Sequence, residues 1–528
     1  MTFVMTYKEE PMPSRGLRSF CVYATALCVV LSGGVLRAED EAPAEKINGP
    51  AIDAASLSIE KAIDLVLRNN LTLKSARYDV IMSDTNALKF DKKFATTLNL
   101  EGGYAYQHIP KSSTTRFSGT RQEQSDIGAS ISKLFSSGTT LTAGVKEVFF
   151  DTNDQGFSGF TTPDPAYHKP ALFVSIQQEL LRNAFGWSDR KQKEILNNAT
   201  TMQRLAIVNI LSSLVVGALV DYWNVTVQRS AMENARLELE SDRTVRNIIA
   251  RNAQYGLAEG YTLNQFNMLV AAAETKLENA TQRHRDAVRK LLRTLNMPPE
   301  TQIKGVTELT DTLSVSDADE GVRAAYAKRV DYRNAQMQLE NARLDLRIQR
   351  NFAMPSVTLG ASLSTLGQDE SFPPAFREAS SYMYPSYQVR LKLSYPLDDT
   401  ELKANVRNAE FRLKQAEIGL ESLKLEVRDD VLTRYDGVKL QHSILMKART
   451  ARSESELYYQ KALARFRQGR VGALEIKTAL DAMVQTRQAA LEALVYYNVA
   501  LLQYDLAKNE IFERYNVDVE KYIRDIKE

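Results

Sequence analysis

Hydrophobic positions recur at helical spacing from Glu401 to Gln468, a stretch without proline and with only two glycines, Gly419 and Gly437. It is dense in Ala, Leu, Glu, Lys, Arg and Gln, which are strong helix formers. Its 68 residues, at ~1.5 Å each, predict a rod of roughly 100 Å. Gly469-Arg470-Val471-Gly472 interrupts the rod, and the helical pattern resumes at Ala473. Leu480, Met483, Ala490, Leu494, Tyr497, Leu501 and Tyr504 then fall at alternating three- and four-residue steps, with Arg487 in the one gap. That is a coiled-coil seam, which needs partners along its whole length. The pattern predicts a long antiparallel helical hairpin.

The same plan occurs earlier in the chain. Ser58, or Ser56, can cap a helix whose apolar positions are Ile59, Ala62, Ile63, Val66, Leu67, Leu73, Ala76 and Val80. Near Ala95 the period switches to two: Leu98, Leu100, Gly102, Tyr104 and Tyr106 alternate with Asn99, Glu101, Gly103, Ala105 and Gln107. Three more alternating runs are centred on Ile127–Ile131, Leu141–Val145 and Leu172–Ile176, with a tight turn at Ser136-Ser137-Gly138. A second proline-free rod covers 187–255 and stops at Gly256-Leu257-Ala258-Glu259-Gly260. Thr262-x-x-Gln265 reads as a capping box that restarts a helix, and Pro298-Pro299 ends that helix after Leu295.

The second half repeats this order, with a helix over 321–352, strands at Val357–Leu363 and Tyr387–Tyr395, and then the 401–468 rod. Leu98-Asn99-Leu100 matches Val357-Thr358-Leu359 at an offset of 259, and Ala253-Gln254-Tyr255 matches Ala464-Arg465-Phe466 at 211. The difference is about two strands and a loop of extra material in the first half. The expected organisation is an N-terminal leader over 1–38, a polar segment over 39–57 and a first repeat over 58–295. A linker over 296–317, a second repeat over 318–511 and a closing segment over 512–528 complete it. Strands are expected at about 96–180 and 355–397, and long hairpins at 187–295 and 401–511.

Composition narrows the partners. There are 67 basic and 65 acidic residues, so no nucleic acid or other polyanion is implied. Both cysteines, Cys21 and Cys28, lie in the leader, beside Arg15, Arg18 and the apolar run Phe20–Leu31. With Leu36-Arg37-Ala38 as a cleavage site this reads as a secretory signal, and Met12 is an alternative start. The exported chain would have no thiol chemistry and no lipid anchor at Cys28. His108, His168, His284 and His442 are scattered without metal-ligand spacing. No nucleophile elbow, P-loop or dinucleotide fingerprint occurs. No enzyme activity, cofactor or metal is expected.

The strands decide the compartment. Apolar, tyrosine-rich faces opposite polar faces carrying Arg390 and Lys392 suit a barrel with lipid outside and water inside. Alternation alone also fits a soluble β-sandwich, but short turns alternating with long Gly/Ser/Tyr loops favour the barrel. So few strands cannot close a useful bore alone, so several chains must share it. The uncharged stretch Leu205–Val220 is short for a membrane helix and is better read as buried against neighbouring helices.

Four short stretches carry a family resemblance: Leu57-Ser58-Ile59-Glu60-Lys61-Ala62 with Asn69-Asn70; Ala218-Leu219-Val220-Asp221-Tyr222-Trp223; Leu393-Ser394-Tyr395-Pro396-Leu397; and Ala464-Arg465-Phe466-Arg467-Gln468-Gly469. In this order and duplication the chain resembles the TolC family of outer-membrane channel proteins over nearly all of its mature length. The resemblance implies a mainly α fold in which antiparallel helical hairpins form a trimeric tunnel continuous with a shared outer-membrane β-barrel. It implies an exit duct for efflux or type I secretion, opened at its periplasmic tips by an adaptor protein. An inner-membrane transporter of RND, ABC or MFS type would supply the energy, and outer-membrane lipid would surround the barrel.

Family members commonly supply two strands per repeat. Four in the first repeat here would give eighteen strands per trimer, or an extra hairpin that caps the barrel. By the same resemblance Glu475 takes the first acidic gate position, Thr478 stands at the second, and Asp481 follows one turn on. The plainer role for Glu475 is a helix cap, and for Phe466 packing instead of a gate latch. Gly256, Gly260, Thr262, Arg465, Gly469 and Gly472 mark the tips where an adaptor would dock. A fibrous periplasmic coiled-coil scaffold with an adhesive strand head is the rival from another class.

Overall fold

The computed structural model describes residues 57–110, 120–152, 166–255, 260–299, 301, 309–313, 315 and 317–518. The leader with Cys21 and Cys28, the polar segment to residue 56, Gly256 and the last ten residues lie outside the described residues. Ten helices are labelled here: α1 (Ile59–Asn69), α2 (Leu71–Asp91), α3 (Trp187–Gln254), α4 (Gly260–Thr294), α5 (Ala318–Lys328), α6 (Val330–Phe352), α7 (Phe372–Ser380), α8 (Thr400–Arg467), α9 (Ala473–Lys508) and α10 (Ile511–Arg514). The strands are β1 (Thr97–His108), β2 (Arg121–Leu134), β3 (Thr139–Thr152), β4 (Ala166–His168), β5 (Ala171–Glu179), β6 (Ser356–Leu366) and β7 (Pro385–Ser394). The chain divides into a strand-bearing unit and a helical unit.

In the strand-bearing unit one antiparallel sheet runs β1-β2-β3-β5-β6-β7, and the three-residue β4 pairs with β3. The extra hairpin β2–β3 is therefore built into the sheet in full register. Register brings Leu98, Ile131, Ala143, Val174, Leu363 and Tyr387 onto one row of one face. The opposite face carries Thr97, Ser132, Thr142, Ser175, Ser362 and Gln388 in the neighbouring row, and Arg390 and Lys392 further along β7. This second face is not purely polar, because Phe150 and Tyr167 stack there with centroids 5.4 Å apart. The tight turn at Ser136–Gly138 docks on Gly186. Gly186 has φ +69°, and a Cβ there would strike the Ser136 carbonyl.

The helical unit holds both rods' long central stretches. α3 and α8 are each 68 residues long, as the absence of proline predicts. Ile207, Leu211, Val215 and Leu219 are buried against Ile63, Leu67, Leu291 and Leu502. The 205–220 stretch is thus core, although it is apolar enough by length and composition to cross a membrane. A second core joins Val322 and Ala325 to Val427, Val431, Tyr497 and Tyr504. Ser58 caps α1, its Oγ accepting from the Lys61 amide at 3.3 Å.

The helix expected from Ser58 through Val80 and the one expected over 321–352 are each broken once. The breaks fall at Asn70 (ψ 125°) and Arg329 (ψ 128°), residues separated by the repeat offset of 259. Local bonding explains both. The Asn70 side chain caps α2 by accepting from the Thr72 amide at 2.8 Å. The Arg329 guanidinium is drawn to Asp331 and Asp430 at 2.6 and 2.9 Å. Gly321 is required by close approach, since a Cβ there would meet the Tyr504 hydroxyl.

Candidate functional site at the hairpin tips

α8 ends in a tight motif. The Gly469 amide donates to the Phe466 carbonyl at 2.9 Å and the Arg470 amide to the Arg465 carbonyl at 3.0 Å. With Gly469 at φ +70° this is a Schellman termination, which satisfies two orphan carbonyls of the last turn. Gly472 is different. It is the extended N-cap of α9 at φ −81°, a conformation open to any residue, and its carbonyl accepts from the Glu475 amide at 3.2 Å.

At the other tip α4 already begins at Gly260, so Thr262 lies inside the first turn instead of capping the helix. Glycine at that start competes with the threonine for the turn, and element ends shift by a residue or two. Tyr255 and Tyr261 stand exposed beside it.

The sequence-derived gate residues are placed as follows. Glu475 is exposed in the first turn of α9, where the helix dipole favours a carboxylate; among the described residues it has no ion partner. With Gly472 as N-cap, no N-cap side chain is present to complete a reciprocal capping box. Thr478 is exposed and donates its hydroxyl to the Leu474 carbonyl at 3.0 Å. Phe466 is half-buried and packs in a cluster with Val245, Ile249, Phe266 and Ile476. Arg465 is exposed and contributes its carbonyl to the turn. Asp481 is neutralised locally by Lys477 at 2.8 Å.

Lys477 is the residue that pattern reading missed. Its ammonium also reaches Glu238 at 3.1 Å and Asp242 at 3.2 Å on α3, and Glu238 in turn holds Lys276 of α4 at 2.6 Å. Burial disfavours the Lys477 charge, but hydrogen bonds to Asp481 and Glu238 and the field of Asp242 outweigh it and raise its pKa. Two ammonium groups face three carboxylates, so one negative charge is in surplus. Burial raises the Asp242 pKa despite Lys477. Burial acts the same way on Glu238, but bonds to Lys276 and Lys477 overcome it and lower its pKa. The signal was present: Glu238 and Asp242 sit one turn apart on the α3 stripe that also buries Ala235 and Leu239.

Arg390 and Lys392 line an open concavity on the second face of the sheet with Gln177, Thr358, Gly360 and Ser362. Among the described residues neither has an ion partner.

Comparison with known proteins agrees with this architecture. Residues 322–503 match the family model for Outer membrane efflux protein. The pyoverdine export outer membrane protein OpmQ of Pseudomonas aeruginosa is 26% identical over 186 residues, 35% of this chain. That match spans 37% of the relative's length. CusC, whose crystal structures concern transmembrane channel formation, superposes with a TM-score of 0.63 at 15% identity over 86% of this chain and 92% of its own. The MtrE outer membrane channel of Neisseria gonorrhoeae in its open state gives 0.61 at 16% identity over 86% and 89%. Residues 322–503 thus carry an Outer membrane efflux protein domain, and the chain has the fold of the outer-membrane channels CusC and MtrE.

Proposed function

We propose that this chain is the passive outer-membrane exit duct of a tripartite efflux pump or type I secretion system. It works as a homotrimer, and a periplasmic adaptor docking at the hairpin tips opens it. One observation carries the reading: a sheet whose six main strands share an apolar row on one face and carry Arg390 and Lys392 on the other, with β1 and β7 each paired on one side only among the described residues. A soluble scaffold would leave that apolar face in water, as a patch far larger than soluble monomers expose. In a membrane the same face meets lipid, and three copies give eighteen strands, an even number as barrels of this type require. From Tyr387 to Tyr395 the strand runs about 27 Å, which tilting brings near the ~25 Å apolar band of outer-membrane barrels.

The transporter, of RND, ABC or MFS type, selects the cargo, and the duct supplies the route. At the tips Gly256, Gly260, Thr262, Arg465, Gly469 and Gly472 form the docking rim. Glu475 is the ring carboxylate of the gate, since Thr478 carries no charge and Asp481 is occupied by Lys477. Three Glu475 side chains on one axis attract cations. In planar bilayers the purified trimer is expected to give stable, cation-selective conductance blocked by divalent ions. Glu475→Gln is expected to weaken both selectivity and block. A soluble rod without conductance would overturn the duct, and unchanged selectivity in Glu475→Gln would overturn only the gate assignment.

A further inference from the structure

The connection between β6 and β7 holds a short helix, α7, that lies on the apolar face of the sheet. The Thr365 hydroxyl, on that face, donates to the Ala379 carbonyl at 2.5 Å. Ala375 and Ala379 are fully buried, and a Cβ at Gly367 would collide with the Ala375 carbonyl. Phe372 meets the His168 ring at 5.9 Å, and His168 in turn packs on Phe149 at 4.8 Å. The helix is therefore seated by small residues beneath it and cannot be a plug on the Arg390 side.

Its level along the strands is informative. Thr365 pairs with Pro385, two residues beyond Tyr387, where the apolar run of β7 ends. At the same end the apolar face turns charged, with Arg121, Glu123, Glu147 and Asp151 on β2 and β3. The outward side of this segment is aromatic and exposed: Phe376 38%, Tyr382 60%, Met383 64% and Tyr384 54%. Arg377 is exposed on the same turn.

We infer that α7 and the Tyr382–Tyr384 segment form a membrane-interface seat that rests in the outer leaflet where the apolar band ends. Side chains with an apolar body and a polar tip are stabilised at that depth, and an apolar helix face over headgroups is the binding mode of interfacial helices. Lipid is the occupant because on β6 and β7 the seat follows directly on the apolar positions Leu363 and Tyr387 of the face that the sheet presents. This inference rests on the duct reading for the lipid outside the sheet.

The test uses the cysteine-free sequence after residue 38. Single variants Phe376→Cys, Met383→Cys, Tyr384→Cys, Val389→Cys and Gln388→Cys in the full-length trimer are labelled with a nitroxide. The trimers are reconstituted in phosphatidylethanolamine–phosphatidylglycerol vesicles, and accessibility to oxygen and to a nickel chelate is compared. Oxygen is expected to dominate severalfold at Val389, and also at Phe376, Met383 and Tyr384 but less strongly, while the chelate dominates at Gln388. If Val389 is lipid-like but the three seat positions are chelate-accessible, the seat is wrong and the barrel stands. If those positions are shielded from both reagents, a second copy covers them and the seat is equally wrong. Chelate dominance at Val389 itself would overturn the membrane reading beneath both.

Discussion

Gly469 and Gly472 occupy one turn, yet their backbones ask for different things. Gly469 sits at φ +70°, where a Cβ crowds the preceding carbonyl, while Gly472 is extended and meets no heavy atom within 4 Å of a built Cβ. Gly469→Ala should therefore cost about 1 kcal/mol of local stability, and Gly472→Ala should be close to neutral. Amide exchange at Arg470, whose N–H closes the termination, reports the difference; equal protection in both variants would remove the distinction. The chain itself shows both glycines and not their dihedrals, so the turn was legible but the division of labour within it was not. Glu475 was legible as an exposed acid near a helix start. Lys477, two residues on, was hidden because what defines it is α3, more than two hundred residues earlier in the chain.

At the scale of elements, periodicity did most of the work. Two 68-residue rods and the long β-runs emerge from proline absence and from a switch of period, both local signals. The breaks at Asn70 and Arg329 did not emerge, since neither proline nor glycine marks them; a capping side chain and an ion-paired guanidinium do. The Lys477 cluster joins α3 of the first repeat to α9 of the second, and its removal should show as a stability change between them. Lys477→Met leaves Glu238 and Asp242 facing each other without their shared cation, expected to cost on the order of 3 kcal/mol. Adding Glu238→Gln and Asp242→Asn should restore most of it.

The pH dependence has opposing parts. Glu238, with its pKa lowered, contributes stability above the unfolded carboxylate value of 4.5 and loses it as pH falls through the folded value. Asp242, with its pKa raised, works the other way and is relieved as pH falls from above its folded value toward 3.8. Asp242→Asn should thus steepen acid destabilisation, measured as the thermal midpoint from pH 7 to 4, and an unchanged slope would remove Asp242 from the cluster's titration.

For the proposed trimer the question is how three sheets would join, and the internal duplication suggests an arrangement. The β5–β6 junction is where the first repeat meets the second within one chain; in the proposed trimer β7 of one copy and β1 of the next would form the same junction between chains. Within the chain, Gln177 pairs with Gly360 and Glu179 with Thr358. The rods begin at Trp187 and Thr400, an offset of 213 that carries Gln177 to Arg390 and Glu179 to Lys392. The offset of 259 carries Gly360 back to Glu101 and Thr358 back to Asn99. In the proposed trimer Arg390 would then stand opposite Glu101 of the next copy on the water-facing side, an opposite-charge cross-strand pair of the kind that favours one register. A one-residue slip would oppose the polar face of one sheet to the apolar face of the other and turn one of the two charges toward lipid, so the register would be strongly constrained. Glu101→Cys with Arg390→Cys is expected to yield a disulfide-linked trimer on a non-reducing gel, while either variant alone stays uncrosslinked. Eighteen strands would also widen the bore about 1.5-fold over twelve, because barrel diameter grows roughly linearly with strand number, so polymer exclusion should report a correspondingly larger cut-off in a trimer locked open. Cross-linking only between Arg390 and a cysteine on the water-facing side of β3, such as one at Thr142, would mean that β1 and β2 lie outside the closed barrel and that twelve strands complete it.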